Sequence, residues 1–407
     1  MGSIGKVSSA FTHAEFIPAD SIFDVTKRFL ADADPQKVNV GAGTYRNENG
    51  KPWILPCVRM AKEVVANHGH EYLPISGLKQ FREKAVELVL HDTDVFAEER
   101  IASCQSLSGT GALLLAGLTL KKSSPSIKNV YITEPTWSNH ELLFQSMGFA
   151  VQKLPYYKAG AFDYSSYMAT LTQAVPGSII VLHSCAHNPT GCDPSQDQWK
   201  EIAAAVRERE LFPIFDSAYL GFNSGSVDED AWAIRYFVCE LKLEASICLS
   251  FAKSMGLYGE RIGLTAFVLH SVETTRVVNS ILENVQRATV STPPVYGANI
   301  AATVLSDPKI KEQWKKDLVT MSGRVKSMRQ KLYSELKRLE TPGDWSHIVK
   351  QSGMFGYTGL TVAQIKHLEA QYHIYMADTS RISIAGLNDG NVEYFAQAID
   401  QTVRSVN

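Results

Sequence analysis

In the middle of the chain, short runs of β-branched and apolar residues take turns with longer stretches whose apolar residues recur at helical spacing. Runs at 130–132, 179–183, 212–215 and 247–249 are the candidate strands. The segment 198–209, with Ile202, Ala205 and Val206 against a charged remainder, typifies the helices between them. A strand that returns parallel to its neighbour needs a crossover long enough to hold a helix, so this alternation predicts a mostly parallel sheet wrapped by helices. The fold class expected is α/β. In that architecture ligands collect in the crevice beyond the carboxyl ends of the strands.

The later part of the chain follows a different rhythm. Ile310, Trp314, Leu318, Met321, Val325, Met328, Leu332, Leu336 and Leu339 recur every three or four positions in a highly charged background. This predicts one long amphipathic helix over 309–340, ended at Pro342-Gly343. A coiled-coil surface could use such a stripe, but a single helix of this length is expected to bridge two domains of one chain. Beyond it, 348–355 and 382–384 are candidate strands of a second, smaller α+β unit. A length of 407 residues agrees with two to three domains at roughly 150 residues each.

Charge narrows the function classes. With 40 basic and 42 acidic residues, the chain has neither the basic footprint of a nucleic-acid binder nor an acidic solvating tail. Its six cysteines, Cys57, Cys104, Cys185, Cys192, Cys239 and Cys248, include no C-x-x-C pair and read as reduced thiols. No apolar stretch is long enough to span a bilayer, and the first thirty residues lack a signal-peptide core. They also carry Glu15 and Asp20, which a transit peptide would avoid. Met1-Gly2 is followed by Lys6 where myristoylation wants Ser or Thr. A cytoplasmic location is expected, with no membrane contact.

Several groups have chemistry to offer. Ser108-Gly109-Thr110-Gly111-Ala112 opens a helix-like run, where exposed N–H groups and the helix dipole would form an anion cradle, although such residues also serve as plain N-caps. The turn fails the dinucleotide fingerprint at Leu114 and lacks the Gly-Lys-Ser/Thr of a P-loop; Gly41-x-Gly43 fails at Arg46. Asn188, Asp216 and Lys253 each sit at or just past a candidate strand end, which aims them at one crevice. Carboxylate, amide and amine together would suit a pyridine-ring cofactor, through its ring N–H, its ring oxygen and a Schiff base. Singly, Asn-Pro forms turns, Asp caps helices and Lys is mostly a surface charge. Ser250 and Arg261 add a hydroxyl and a bidentate cation suited to a phosphate. His68-x-His70 has no H-E-x-x-H or Cys/His grouping beside it, so this pair next to Glu71 reads as hydrogen bonding, and no metal is expected.

The stretch Ser250-Phe251-Ala252-Lys253-Ser254-Met255-Gly256-Leu257-Tyr258-Gly259-Glu260-Arg261-Ile262-Gly263 closely resembles the aspartate aminotransferases, pyridoxal-phosphate enzymes of fold type I. So do His183-Ser184-Cys185-Ala186-His187-Asn188-Pro189-Thr190-Gly191 and Phe215-Asp216-Ser217-Ala218-Tyr219. Further matches run from Val40-Gly41-Ala42-Gly43-Thr44-Tyr45-Arg46 through Glu134-Pro135-Thr136-Trp137-Ser138-Asn139-His140 to Arg381-Ile382-Ser383, and the likeness covers the chain from about Phe23 onward. It implies a large domain with a mostly parallel sheet plus a smaller α+β domain. The implied boundaries are an N-terminal arm and first part of the small domain at 1–54, a cofactor-binding domain at 55–320, and the rest of the small domain at 321–407.

By that resemblance Lys253 would hold pyridoxal phosphate as a Schiff base and later act as general base. Asp216, supported by His140, would keep the ring nitrogen protonated. Asn188 and Tyr219 would bond the ring oxygen, and Trp137 would stack on the ring. Ser108, Gly109, Thr110, Ser250 and Arg261 would bind the phosphate, with Tyr72 arriving from the other subunit of a homodimer. Arg381 would clamp the substrate α-carboxylate near Asn188 and the Gly43 backbone, and Arg287 of the neighbouring subunit would take the side-chain carboxylate. The implied reaction is ping-pong transamination of aspartate with 2-oxoglutarate, giving oxaloacetate and glutamate.

The chain departs from the family where Val290 replaces a usual Trp, Thr292 and Gly259 usual Asn residues, and Ser380 a usual Gly. These positions surround substrate or cofactor and bear on donor preference. The alternatives are an aminotransferase with another main donor, aromatic or specialised, and a non-catalytic binding protein of the same fold. A decarboxylase or β-lyase could use the same cofactor, but two carboxylate-binding arginines argue for keeping both carboxylates in place.

Overall fold

The structure is a computed structural model that describes residues 9–18 and 21–406. The features read at Met1, Gly2, Lys6 and Asp20 lie outside the described residues. The central sheet has seven strands in the order Ile101–Leu107, Ile262–Val268, Ala245–Ser250, Phe212–Ser217, Ile179–His183, Asn129–Glu134, Ala150–Pro155. Only Ile262–Val268 runs against its neighbours; the remaining pairings are parallel.

The strand sequences explain why both faces of this sheet are covered. In Ile179–His183, Ile179 and Val181 join one apolar cluster while Ile180 and Leu182 join the other. Ile214 and Phe215 split in the same way, as do Cys248 and its neighbours Ile247 and Leu249. Side chains alternate across a pleated strand, so a continuous apolar run is what a doubly covered sheet requires. One cluster is closed by the helices Ser108–Ser123 and Val272–Thr289, the other by helices that include Gln196–Glu208 and Tyr296–Ser306. Each large aliphatic or aromatic side chain buried this way contributes on the order of 1.5–3 kcal/mol.

The long helix spans Pro308–Arg338, and every apolar position of its predicted stripe from Ile310 to Leu336 is buried. Asp307 caps its start by accepting from the backbone N–H groups of Lys309 and Ile310 at 2.9 and 3.0 Å. The helix packs on Pro56–Val65 and Tyr296–Ser306 at one end and on His347–Lys350 and Val392–Ser405 at the other. It therefore buries its stripe within its own chain. Trp314 also donates its indole N–H to the Ser254 carbonyl at 2.7 Å, one residue from Lys253.

The remaining strands are short. Val38–Asn39 pairs in parallel with Ile374–Tyr375, and Phe355–Tyr357 pairs antiparallel with Arg381–Ser383. The candidate strand at 348–355 is corrected: Ile348 lies in the one-turn helix His347–Lys350, and extended pairing begins only at Phe355. The reason is Arg329, buried in the long helix, whose guanidinium gathers the carbonyls of Ile348, Ser352, Gly353 and Phe355. A chain bent around one cation cannot run straight as a strand.

All six cysteines are free thiols. His68 and His70 are exposed, and neither makes a side-chain hydrogen bond to Glu71 among the described residues, which corrects the reading of that pair. No described helix is long and apolar enough to cross a membrane.

Candidate active site

Five strands deliver residues to one edge of the sheet. Ser108 follows Ile101–Leu107, Trp137 and His140 follow Asn129–Glu134, and Asn188 follows Ile179–His183. Asp216 lies within Phe212–Ser217 near its end, and Lys253 follows Ala245–Ser250. Beside them opens a cleft of 210 Å³ lined by Gly43, Ser108, Gly109, Thr110, Trp137, Asn188, Asp216, Tyr219, Ser250, Lys253, Tyr258 and Arg261, among others.

At its floor Asp216 Oδ2 lies 2.9 Å from His140 Nε2, and His140 Nδ1 lies 2.8 Å from Thr136 Oγ1. Burial pushes the Asp216 carboxyl up, but the His140 hydrogen bond and the nearby positive charges more than reverse this and hold it below its ordinary range. The carboxylate is thus ionised although it is buried. His183 stands one strand over with its ring centroid 5.1 Å from that of His140. Burial first, then repulsion from His140, lowers His183 to about 3, so its ring is neutral. Ligand atoms of His140, His183 and Asp216 lie within 4.8 Å of one another, a grouping that no sequence spacing announces.

Lys253 Nζ lies 5.1 Å from the centroid of the Tyr219 ring. Burial lowers its pKa, Asp216 opposes that, and Arg261 and Arg381 lower it further. Its amine is therefore easier to deprotonate than an ordinary lysine's. Burial raises Tyr219, so the phenol stays a hydrogen-bond donor.

At the other end of the cleft, Ser108 Oγ and Ser250 Oγ meet at 2.8 Å. Ser108 opens the helix Ser108–Ser123 with φ +59°, and its N–H donates to the Arg261 carbonyl at 3.1 Å. Two hydroxyls, the first N–H groups of a helix of sixteen residues and a guanidinium form a dianion cradle. Gly263 makes it possible, since a Cβ there would sit 2.6 Å from the Ser108 carbonyl.

Arg381 is buried beside the cleft, donating from Nη2 to the Gly41 carbonyl at 2.8 Å and lying 4.4 Å over the Phe355 ring. Two expected residues stand apart: Tyr72 is 91% exposed and Arg287 is exposed, bonded to Ser291 Oγ of its own helix end. Residues missed in the sequence are Tyr258, which accepts from the Tyr45 N–H at 2.9 Å and lines the cleft, and Phe355. No local pattern marks either one.

A family model described as aminotransferase class I and II matches residues 35–399. The chain belongs to this family. Among relatives of this aminotransferase, the cytoplasmic aspartate aminotransferase of Schizosaccharomyces pombe is 44% identical, covering 97% of this chain and 98% of that protein. A solved aspartate aminotransferase from Saccharomyces cerevisiae cytoplasm superposes with a TM-score of 0.95 at 42% identity, covering 98% and 99% of the two chains. An aromatic-amino-acid aminotransferase from Burkholderia pseudomallei, covalently bound to pyridoxal phosphate, gives 0.94 at 38% identity, covering 97% and 100%. The substrates of this aminotransferase are amino acids and 2-oxo acids.

Proposed function

We propose that this aminotransferase moves the amino group of aspartate to 2-oxoglutarate with pyridoxal phosphate, by a ping-pong mechanism, as a cytoplasmic homodimer. The observation that carries the cofactor is the cleft itself: an ionised buried carboxylate, a lysine of lowered pKa and a dianion cradle share 210 Å³. Asn188 lines the same cleft and adds an amide whose Nδ2 can donate to a ring oxygen. These residues fit the group. When bound, pyridoxal phosphate supplies an aldehyde for the amine and a protonated ring that withdraws electrons from the substrate α-carbon.

The chain's own residues do the rest. Ser108, Gly109, Thr110, Ser250 and Arg261 bind the phosphate, and Tyr72 of the partner subunit completes that end. Trp137 would cover the ring face; Asn188 and Tyr219 would donate to the ring oxygen; Asp216, oriented by His140, would neutralise the ring N–H⁺. Lys253 would hold the coenzyme through Nζ, and the same nitrogen as a free amine would take the substrate α-proton and return it as general acid. Arg381 takes the α-carboxylate near Gly43, and Arg287 of the partner subunit takes the second carboxylate, which favours dicarboxylic substrates. The exposure of Tyr72 and Arg287 in one chain supports the dimer. The domain division at 54 and 320 is part of the same reading, with the long helix as the bridge.

Aspartate and the cytoplasm come from the names of the S. pombe and S. cerevisiae relatives. Two observations favour a second reading, an aromatic main donor: the B. pseudomallei enzyme superposes almost as closely, and Val290 and Thr292, shortly after Arg287, are departures from the family. The test is a donor screen on the purified protein with 2-oxoglutarate. Rates on aspartate should exceed those on alanine and phenylalanine, and an absorption band from bound coenzyme should vanish in Lys253→Ala. Equal rates on alanine, or a faster reaction with phenylalanine, defeat the aspartate assignment.

A further inference from the structure

The chain enters Arg381 through a residue in the left-handed region. Ser380 has φ +70°, a conformation that costs free energy for any residue bearing a Cβ. Its hydroxyl meets that of Thr358 at 2.8 Å, and both residues are buried, at 7% and 2% exposure. The backbone repeats the tie: Thr358 N–H donates to the Ser380 carbonyl at 3.0 Å, and Thr358 Oγ1 reaches the same oxygen at 3.3 Å. Ser380 N–H in turn donates to the Ala377 carbonyl at 2.9 Å.

Besides the Gly41 carbonyl that its Nη2 reaches, Arg381 meets two neighbours of Thr358. Tyr357, the neighbour of Thr358, is the ladder partner of Arg381, and Phe355 lies under its guanidinium. The strand Arg381–Ser383 has only three residues, too few pairings to fix the direction of its first residue alone. If the hydroxyl contact is removed, backbone hydrogen bonds from Thr358 and to Ala377 are left to hold Ser380 at positive φ against its preference for the extended region. Where φ relaxes, the peptide leading into Arg381 turns, and the guanidinium at the end of a long side chain moves with it.

We propose that Ser380 and Thr358 form a two-hydroxyl latch whose role is to position Arg381 for the substrate α-carboxylate. Both are positioning residues; neither touches substrate. The inference rests on the reading of Arg381 as the carboxylate clamp. A clamp on the unreacting carboxylate contributes mainly uniform binding, so loosening it should act on KM far more than on kcat.

The test uses the holoenzyme with Ser380→Ala, Thr358→Val, the double variant, Thr358→Ser and, as reference, Arg381→Leu. Three quantities are read: kcat and KM for the amino donor, the equilibrium Kd of succinate as an unreactive dicarboxylate, and the thermal midpoint. Ser380→Ala and Thr358→Val should each raise KM and the succinate Kd about fivefold while kcat changes by less than about twofold, the size expected for one buried hydrogen bond. The double variant should be no worse than Thr358→Val alone, since that change already removes the shared hydroxyl contact. Thr358→Ser, which keeps the hydroxyl, should restore binding. If Ser380→Ala does not fold, Thr358→Val and its Ser rescue carry the same comparison. A lowered midpoint with unchanged KM and Kd overturns the latch, leaving only a structural contact. If Arg381→Leu also leaves the succinate Kd unchanged, the clamp reading falls, and the latch with it.

Discussion

His140 and Asp216 share a 2.9 Å contact beneath the cleft, made by Nε2 and Oδ2, while Thr136 fixes the far side of the imidazole. This pair keeps a negative charge ready in a buried position at the cleft. Asp216→Asn removes the charge and retains the shape, and should lower kcat by about 10²–10³-fold, as expected for losing one preorganised electrostatic contact. The measurement is single-turnover rate on enzyme saturated with coenzyme. A loss smaller than about tenfold would show that the carboxylate is not the ring's counter-charge.

Gly263 is a second sensitive point. A Cβ there meets the Ser108 carbonyl carbon and oxygen and the Leu249 oxygen, each at 2.6 Å. Backbone cannot step aside as a side chain can. Gly263→Ala should therefore destabilise the fold by about 1–3 kcal/mol. It should also weaken binding of inorganic phosphate to the apo-enzyme, because the cradle's first residue is what moves. Denaturant titration and phosphate titration read the two effects separately.

Acid stability should report His183. Its folded pKa lies near 3, below the ordinary histidine value of 6.5. Between those values the unfolded chain holds a proton that the folded chain refuses, so stability falls as pH drops from about 6.5 toward 3, by at most about 1.4 kcal/mol per pH unit. Burial also lowers His187, which adds to the same slope. His183→Asn should flatten this limb of a stability-against-pH curve. An unchanged slope would mean that the ring is protonated in the native protein.

Arg287→Ala tests the proposal that a partner subunit supplies the second carboxylate site. The side chain is exposed in one chain and ends next to Ser291. Its removal should cut kcat/KM for aspartate and 2-oxoglutarate by about 100-fold while sparing alanine, since only a dicarboxylate loses a charge-assisted bidentate contact. Mixed dimers of Arg287→Ala and Lys253→Ala chains sharpen the result. One of their two clefts should combine native Lys253 with native Arg287 and regain activity; no recovery argues against a site shared between subunits.

The four central strands were legible because a doubly covered parallel strand has to be apolar at consecutive positions, as in Ile179–His183. Ile101–Leu107 was not, although it is nearly all buried. It carries Ser103, Gln105 and Ser106, and Gln105 is satisfied by the distant Pro294 carbonyl and Leu78 N–H, partners that no window of sequence contains. The bend at Ile348 was hidden for the same reason, its cause being Arg329. In the site, residues carried at strand ends could be ordered from the sequence alone. The Phe355 platform under Arg381 could not, because strand pairing brings it there.

The antiparallel member of the sheet, Ile262–Val268, begins on the edge where its neighbours finish. A reversed strand therefore presents its entry rather than its exit to the crevice, and Arg261, the residue just ahead of it, arrives beside Ser108 from the opposite chain direction. The hairpin from Ser250 to Ile262 leaves and re-enters the sheet at the same rim, carrying Lys253 on its outward limb and Arg261 on its return. On the proposed reading, anchoring amine and anion-binding cation are thus spaced by a single excursion of the chain, and inserting or deleting one residue in that excursion would alter the distance between the two points that would grip a coenzyme.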